Sequence, residues 1–211
     1  MQRLLAGGLG LCVIVSGCAV RPQVASGDRP VVEIDRTHLP EAVTGVDGME
    51  KGLFRDGRVY VGGQPTEKSL ASLAGLGVKT VVNLRTPREM ADRAQIPFDE
   101  AAEAARLGME YVTIPIGGAE YPYAPQTVEQ FAQVLERNPG PVLLHCRSGV
   151  RASYLWTAYL VRYGGLGLDA ALARGKAMGI SPDPLEQLLG RPLKLVWAGP
   201  PTAPAATPAP R

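Results

Sequence analysis

From Pro141 the chain runs through four residues that read as a strand, Pro141-Val142-Leu143-Leu144, into the heptapeptide His145-Cys146-Arg147-Ser148-Gly149-Val150-Arg151. It leaves along a helical stretch that begins at Ser153 and carries Tyr154, Leu155, Trp156, Tyr159 and Leu160. A strand–loop–helix junction places the loop at a helix N-terminus, where unsatisfied N–H groups and the helix dipole favour negative charge. A cysteine attacks as its thiolate, so this is where a nucleophilic cysteine would be placed. The N–H groups of such a loop can also wrap an oxyanion, and Arg151 can offer a planar fork to phosphate-like oxygens. Cys146 is therefore the candidate nucleophile. Arg147, Ser148, Gly149, Val150 and Arg151 are the candidate anion cradle. His145 is read as orienting the loop, and Ser153 or Ser148 as a hydroxyl donor to a departing thiolate. Trp156 and its apolar neighbours fall at helical spacing and read as core.

The rest of the chain alternates short apolar strands with helices. Asp56-Gly57 between Leu53-Phe54-Arg55 and Arg58-Val59-Tyr60-Val61 is a hairpin signal. A helix opening near Pro65-Thr66-Glu67 carries Leu70, Leu73 and Leu76, and Gly77 closes it. Thr80–Leu84 reads as a strand, Phe98–Leu107 as a helix rich in Ala and Glu, and Tyr111–Ile114 as the next strand. Thr127 and Gln130 form a capping-box pattern ahead of a helix with Val128, Phe131, Val134 and Leu135 on one face. Two more helices are expected near Asp169–Ala177 and Pro184–Leu189. Repeated β–α units with apolar strands predict an α/β fold of three layers, a central mostly parallel sheet with helices on both faces. Ligands bind such sheets at the carboxyl ends of the strands, which is where Cys146 falls.

The first residues address the chain. Met1-Gln2-Arg3 is a short positive segment, and Leu4–Val15 is apolar but too short for a stop-transfer helix. Val15-Ser16-Gly17-Cys18 resembles the lipobox of bacterial lipoproteins. That resemblance implies a signal peptide over residues 1–17 and lipid on Cys18. It also implies a protein anchored on the periplasmic face of a bacterial membrane, the outer membrane favoured because no aspartate follows Cys18. Residues 18–48, punctuated by Pro30 and Pro40, are expected to be a tether, 49–196 the folded domain, and 197–211 a Pro/Ala-rich tail. With Cys12 removed and Cys18 lipidated, Cys146 would be the one free thiol. This leaves no disulfide and no resolving cysteine. Two histidines and one thiol argue against a zinc site, so no metal and no cofactor are expected. A formal charge of +2, mixed along the chain, offers no basic stripe for nucleic acid.

From Val59 to Gly179 the chain resembles the cysteine-dependent phosphatase superfamily with the protein-tyrosine-phosphatase-like fold. Within it the resemblance is to the bacterial dual-specificity-like group typified by the phosphatase-like domain of β-lactamase-hydrolase-like proteins (the DUF442 group). The matching residues are Gly63-Gln64-Pro65, Val81-Val82-Asn83-Leu84-Arg85 with Glu89, Ile114-Pro115, and His145 through Arg151. The resemblance implies Cys146 as the nucleophile that forms a phosphocysteine, Arg151 on the phosphoryl oxygens, and a phosphorylated protein or small molecule as substrate. Arg85 and Glu89 are expected to form a structural ion pair near the site. The chain departs from the superfamily in two places. Four residues separate cysteine from arginine where the familiar signature has five, and the string CRSGVR also resembles the active loop of single-domain rhodaneses, whose cysteine carries a persulfide. No aspartate lies between Glu100 and Cys146, so the candidate general acid is Glu120, in the glycine-flanked Gly117–Pro122 loop. A rhodanese-like sulfurtransferase and a non-catalytic anion-binding lipoprotein are the alternatives. The anchor has its own check: Cys18→Ala is expected to abolish incorporation of a palmitate analogue and leave an unprocessed precursor, and equal labelling of the variant would exclude the lipobox.

Overall fold

In a computed structural model, residues 32–180 and 183–193 are described. The expected signal peptide, Cys18, the first part of the expected tether and the Pro/Ala-rich tail lie outside them. Six strands form one sheet in the order β1-β2-β3-β6-β4-β5. They are β1 (Glu41–Ala42), β2 (Leu53–Asp56), β3 (Val59–Gly62), β4 (Thr80–Asn83), β5 (Glu110–Thr113) and β6 (Val142–His145). The β3–β6, β6–β4 and β4–β5 pairings are parallel, and β1–β2 and β2–β3 are antiparallel. This is the mostly parallel α/β sheet that the alternating pattern predicts.

Side chains alternate across the pleat, and each face has its own core. Val59, Val61, Val82, Val142 and Leu144 meet α4 (Pro125–Arg137), α5 (Val150–Arg162), α6 (Leu168–Ala177) and α7 (Asp183–Leu189), with Phe131, Trp156 and Leu185 filling the space between. Tyr60, Val81 and Leu143 face the other way, toward Leu70 and Leu73 of α1 (Glu67–Gly75) and Ala104 of α3 (Glu100–Arg106). Helix α5 is buried along nine consecutive residues, Ala152 to Leu160. Trp156 and Tyr159 stack there at 5.2 Å between ring centroids, and Phe131 stands edge-on to both. This packing fixes the helix whose first turn carries the loop.

Three expectations change. The pattern at Thr127 and Gln130 does not cap a helix: Thr127 is buried inside α4, which starts on Pro125 after Ala124 with no side-chain cap. Proline suits the first helical position because that N–H has no intrahelical partner anyway. Residues from 32 onward do not run free of the domain. Val32 is part of the larger core, and β1 pairs with β2. Asp56 ends β2 rather than entering the turn. Its carboxylate is buried, accepting from Trp156 Nε1 at 2.9 Å and from Arg174 Nη1 at 2.6 Å, while Arg174 Nη2 donates to the Asp35 carbonyl.

That cluster gives a stability test. Asp56→Ala strands the Arg174 charge in the interior, and breaking a buried pair from one side typically costs about 3–5 kcal/mol. Urea unfolding is expected to show a loss of that order, well above what removing an exposed pair would cost.

Candidate active site

The loop that follows β6 is held by backbone before any side chain contributes. The Leu84 N–H donates to the His145 carbonyl at 2.9 Å, and the Gln64 N–H to the Arg147 carbonyl at 2.9 Å. Gly63 lies against the loop at Ser148, and a Cβ on Gly63 would stand 2.0 Å from the Glu50 carbonyl oxygen and 3.0 Å from that of Arg147. Only glycine fits there, which gives Gly63-Gln64-Pro65 a steric meaning. Gly149 is the N-cap of α5 at φ 84°, a left-handed conformation that glycine adopts without strain. The first bond into the helix runs from Ser153 N–H to the Gly149 carbonyl at 2.8 Å. The N–H groups of Val150, Arg151 and Ala152 precede it, and no side chain caps them. At the carboxyl end of the sheet, this helix start leaves N–H groups suited to an anion.

Cys146 is buried at the floor of this loop and is the cysteine of the described residues. Ser148 and Gly149 are half-buried at the rim, and Arg147 and Val150 are exposed. Arg151 turns back over the loop. Its Nη1 donates to Glu89 Oε2 at 2.9 Å and to the Ile116 carbonyl at 2.5 Å, and its Nη2 donates to Glu89 Oε1 at 2.7 Å. Burial works against the guanidinium's charge. The hydrogen bond to Glu89 and the charges of Cys146 and Glu89 outweigh it and hold Arg151 above its ordinary value. Ser153 Oγ donates to the Gly149 carbonyl at 3.0 Å, supporting the loop's turn from within the helix.

Glu89 is aimed by its own helix. In the single turn α2 (Pro87–Met90), Thr86 is the N-cap, and its N–H donates to Glu89 Oε2 at 2.9 Å. The sequence Thr86-Pro87-Arg88-Glu89 carries this capping box openly, with proline in the first turn, and it marks Glu89 as a fixed carboxylate. The expected Arg85–Glu89 ion pair is present but loose, 3.7 Å from Arg85 Nε to Glu89 Oε1. The principal partner of Glu89 is Arg151. Burial raises the Glu89 carboxyl, but hydrogen bonds from Arg151 and the Thr86 N–H, with the charges of Arg151 and Arg85, bring it down to about 2.

Arg85 is instead part of a buried polar row behind the loop. Its Nη1 donates to Gln64 Oε1 at 2.8 Å, and Gln64 Nε2 donates to Glu100 Oε2 at 2.6 Å. Glu100 Oε1 lies 2.7 Å from His145 Nε2. In the sequence, Gln64 stands out only within the Gly63-Gln64-Pro65 resemblance, and Glu100 is one residue of an Ala/Glu-rich helix. Nothing in the spacing of either marks it as buried.

Glu120 stands apart from this group. It is exposed, its carboxylate faces the Tyr121 hydroxyl, and its loop is pinned by the Gly117 N–H on the Tyr121 carbonyl at 2.7 Å. Tyr123, two residues past that pin, comes within electrostatic range of both Cys146 and Arg151. Burial first, then Cys146 and Tyr154, push its phenol up against the opposing effect of Arg151. No group of His, Cys, Asp and Glu among the described residues could hold a metal ion, and no described helix is long and apolar enough to cross a membrane.

The family model described as a dual-specificity-type tyrosine phosphatase (DSP-PTPase) fused to NAD+ kinase matches residues 39–178. The chain belongs to this phosphatase family. A β-lactamase hydrolase-like protein of Xylella fastidiosa is 30% identical over 122 residues, 58% of this chain and 28% of the Xylella protein, so the chain spans little more than a quarter of that relative. The crystal structure of Tk-PTP in its active form superposes with a TM-score of 0.52 at 25% identity, over 64% of this chain and 94% of that one. P. aeruginosa TpbA, a cysteine-to-serine form in complex with phosphotyrosine, has a TM-score of 0.50 at 23% identity over 72% of this chain and 87% of its own, a likeness of fold. The phosphatase-like fold and family expected from Gly63-Gln64-Pro65, Asn83-Leu84-Arg85 and the cysteine loop are thus found.

The Glu89–Arg151 clamp predicts a pH signature. The ordinary carboxyl value is 4.5 and the folded one about 2. The pair therefore stabilises the fold fully above about 4.5, and that contribution fades as the pH falls toward 2. Glu89→Gln is expected to lower the urea midpoint at pH 7, by an amount that shrinks steadily between pH 4.5 and pH 2. A deficit that stays constant with pH would place the stabilisation in shape rather than charge.

Proposed function

We propose that the chain hydrolyses phosphate monoesters through a phosphocysteine at Cys146. The observation that carries this reading is the joint placement of a buried thiol, the uncapped start of α5 and a clamped Arg151 guanidinium within one loop. Cys146 Sγ attacks phosphorus, the ester P–O bond breaks, and the leaving oxygen departs as an oxyanion that takes its proton from solvent water. Water then attacks the phosphocysteine, the S–P bond breaks, and inorganic phosphate leaves with the sulfur restored as thiolate. The protein's main task in such a transfer is to position the phosphoryl group and hold its charge. The α5 N–H groups and Arg151 are the residues suited to it. Glu120 would have to leave Tyr121 to reach a leaving oxygen, so esters with good leaving groups, such as aryl phosphates, suit this site best. A phosphotyrosine complex of the structurally similar TpbA supports a phosphorylated substrate, and the exposed Arg147 and Val150 form the rim it would meet. A lipid on Cys18 would hold this activity on the periplasmic face of a bacterial membrane.

The four-residue spacing between Cys146 and Arg151 supports a second reading, sulfur transfer through a persulfide. The test is a paired assay of p-nitrophenyl phosphate hydrolysis and thiosulfate-to-cyanide sulfur transfer. Hydrolysis is expected, inhibited by orthovanadate, and lost in Cys146→Ser without loss of fold. Arg151→Lys keeps the charge but not the fork. It is expected to remove about 2–4 kcal/mol of transition-state stabilisation, as losing one oxyanion donor does, appearing in kcat as roughly a hundredfold or more. Activity confined to sulfur transfer would replace the phosphatase reading, and a defect confined to KM would assign Arg151 to binding alone.

A further inference from the structure

Glu100 is a carboxylate with a side chain wholly out of contact with solvent, and so is its neighbour His145. An acid is carried into the interior at a cost of several kcal/mol unless it is paired and hydrogen-bonded. Glu100 reaches its partners from α3, on the far side of the sheet from α5. One oxygen accepts from Gln64 Nε2 at 2.6 Å, and the other lies 2.7 Å from His145 Nε2. That second approach has ion-pair distance without the alignment of a hydrogen bond, and the other ring nitrogen, Nδ1, has no hydrogen-bond partner among the described residues. Arg85 after β4, Tyr111 from β5, and Asp99 and Arg93 beside α3 are further charged or titratable groups near Glu100, and burial with the Glu100 charge pushes the Tyr111 phenol up. The next residue after His145 is Cys146. Its N–H meets the Gly62 carbonyl at only 3.4 Å, while the His145 carbonyl is held by Leu84 at 2.9 Å. The nucleophile thus hangs from a firmly held residue by a loosely held peptide.

We propose that Glu100 is a positioning residue for the nucleophile: by fixing the His145 ring from behind the sheet, it sets the orientation and reactivity of Cys146. A proton between Nε2 and the carboxylate keeps two lone pairs from facing each other across 2.7 Å. The contact sets the ring plane, and with it the strand end that carries Cys146. The same buried row continues from Gln64 through Arg85 to Glu89 and Arg151. Glu100 therefore addresses the sulfur end of the loop, and Glu89 addresses the guanidinium end.

The inference rests on Cys146 being the nucleophile. Its test is alkylation by iodoacetamide, which consumes that thiol whether or not the chain hydrolyses phosphate esters, so the two readings fail separately. Alkylation is followed in the full chain by mass spectrometry of the peptide that contains Cys146. Glu100→Gln keeps the side-chain shape and removes the charge. It is expected to slow Cys146 alkylation at least tenfold and to lower kcat on aryl phosphate by a similar factor, with KM and the orthovanadate inhibition constant within twofold of the parent. His145→Asn is expected to slow alkylation as much, and Glu100→Gln added to it to slow it no further. Should Glu100→Gln fail to fold, Glu100→Asp keeps the charge one methylene short of His145 and is expected to slow alkylation at least threefold. Parent-level alkylation in whichever of these variants folds overturns the proposal. So do losses that multiply in the double variant, and so does a rise in KM and the vanadate constant that matches the fall in kcat, which would mean that the cradle itself had collapsed.

Discussion

A guanidinium withdrawn from water needs partners on all sides, and Arg151 takes them from three parts of the chain. Its own helix α5 brings it to the loop, α2 supplies Glu89 on two parallel hydrogen bonds, and the loop after β5 supplies the Ile116 carbonyl. A bidentate charge-assisted pair is among the stronger polar contacts available to a protein, and it fixes direction as well as distance. Under the phosphatase mechanism proposed above, the direction matters because the guanidinium would stand where a phosphoryl group arrives. A loose arginine would have to be ordered each time an anion bound, whereas this one is ordered when the protein folds.

Holding Arg151 in this way moves the problem one step back, to the carboxylate. Glu89 is kept in place by a helix of one turn whose cap it forms itself. Behind it, Arg85, Gln64 and Glu100 pass the pairing on until it ends at His145. A row of this kind contributes little net stability, because each buried charge cancels a desolvation cost that it helped to create. What it provides is a single arrangement. Losing any member leaves its neighbours buried and unpaired, so alternative packings of the loop are disfavoured.

Much of this was legible in the sequence, for reasons that can be stated. Val142-Leu143-Leu144 reads as a buried strand because a parallel sheet covered on both faces needs apolar residues at every position. Cys146, Gly149 and Arg151 were legible together because the chemistry of a helix start restricts which residues can follow a strand so closely. The Thr86-Pro87-Arg88-Glu89 capping box stands in the sequence but was not read there, because a one-turn helix has no amphipathic face to draw attention to it. Gln64, Arg85 and Glu100 were not legible in their roles. They lie 21 and 15 positions apart, on a turn, a strand end and a helix, and only the sheet order brings them together. Asp56 was hidden by the turn rule it satisfies, since an aspartate before glycine signals a hairpin whether or not its carboxylate is needed in the core.

The clasp of Asp56, Arg174 and the Asp35 carbonyl also gives the molecule a polarity. It sits beside the β2–β3 turn, at the amino ends of the parallel strands, whereas Cys146 lies beyond their carboxyl ends. The two are separated by the length of β3, four residues of extended chain, or roughly 13 Å at the usual rise per residue. Val32 and Asp35 therefore lie at the pole opposite the cysteine loop. A change at the clasp therefore reaches Cys146 only through the sheet, so the stability of one pole and the reactivity of the other can be altered separately.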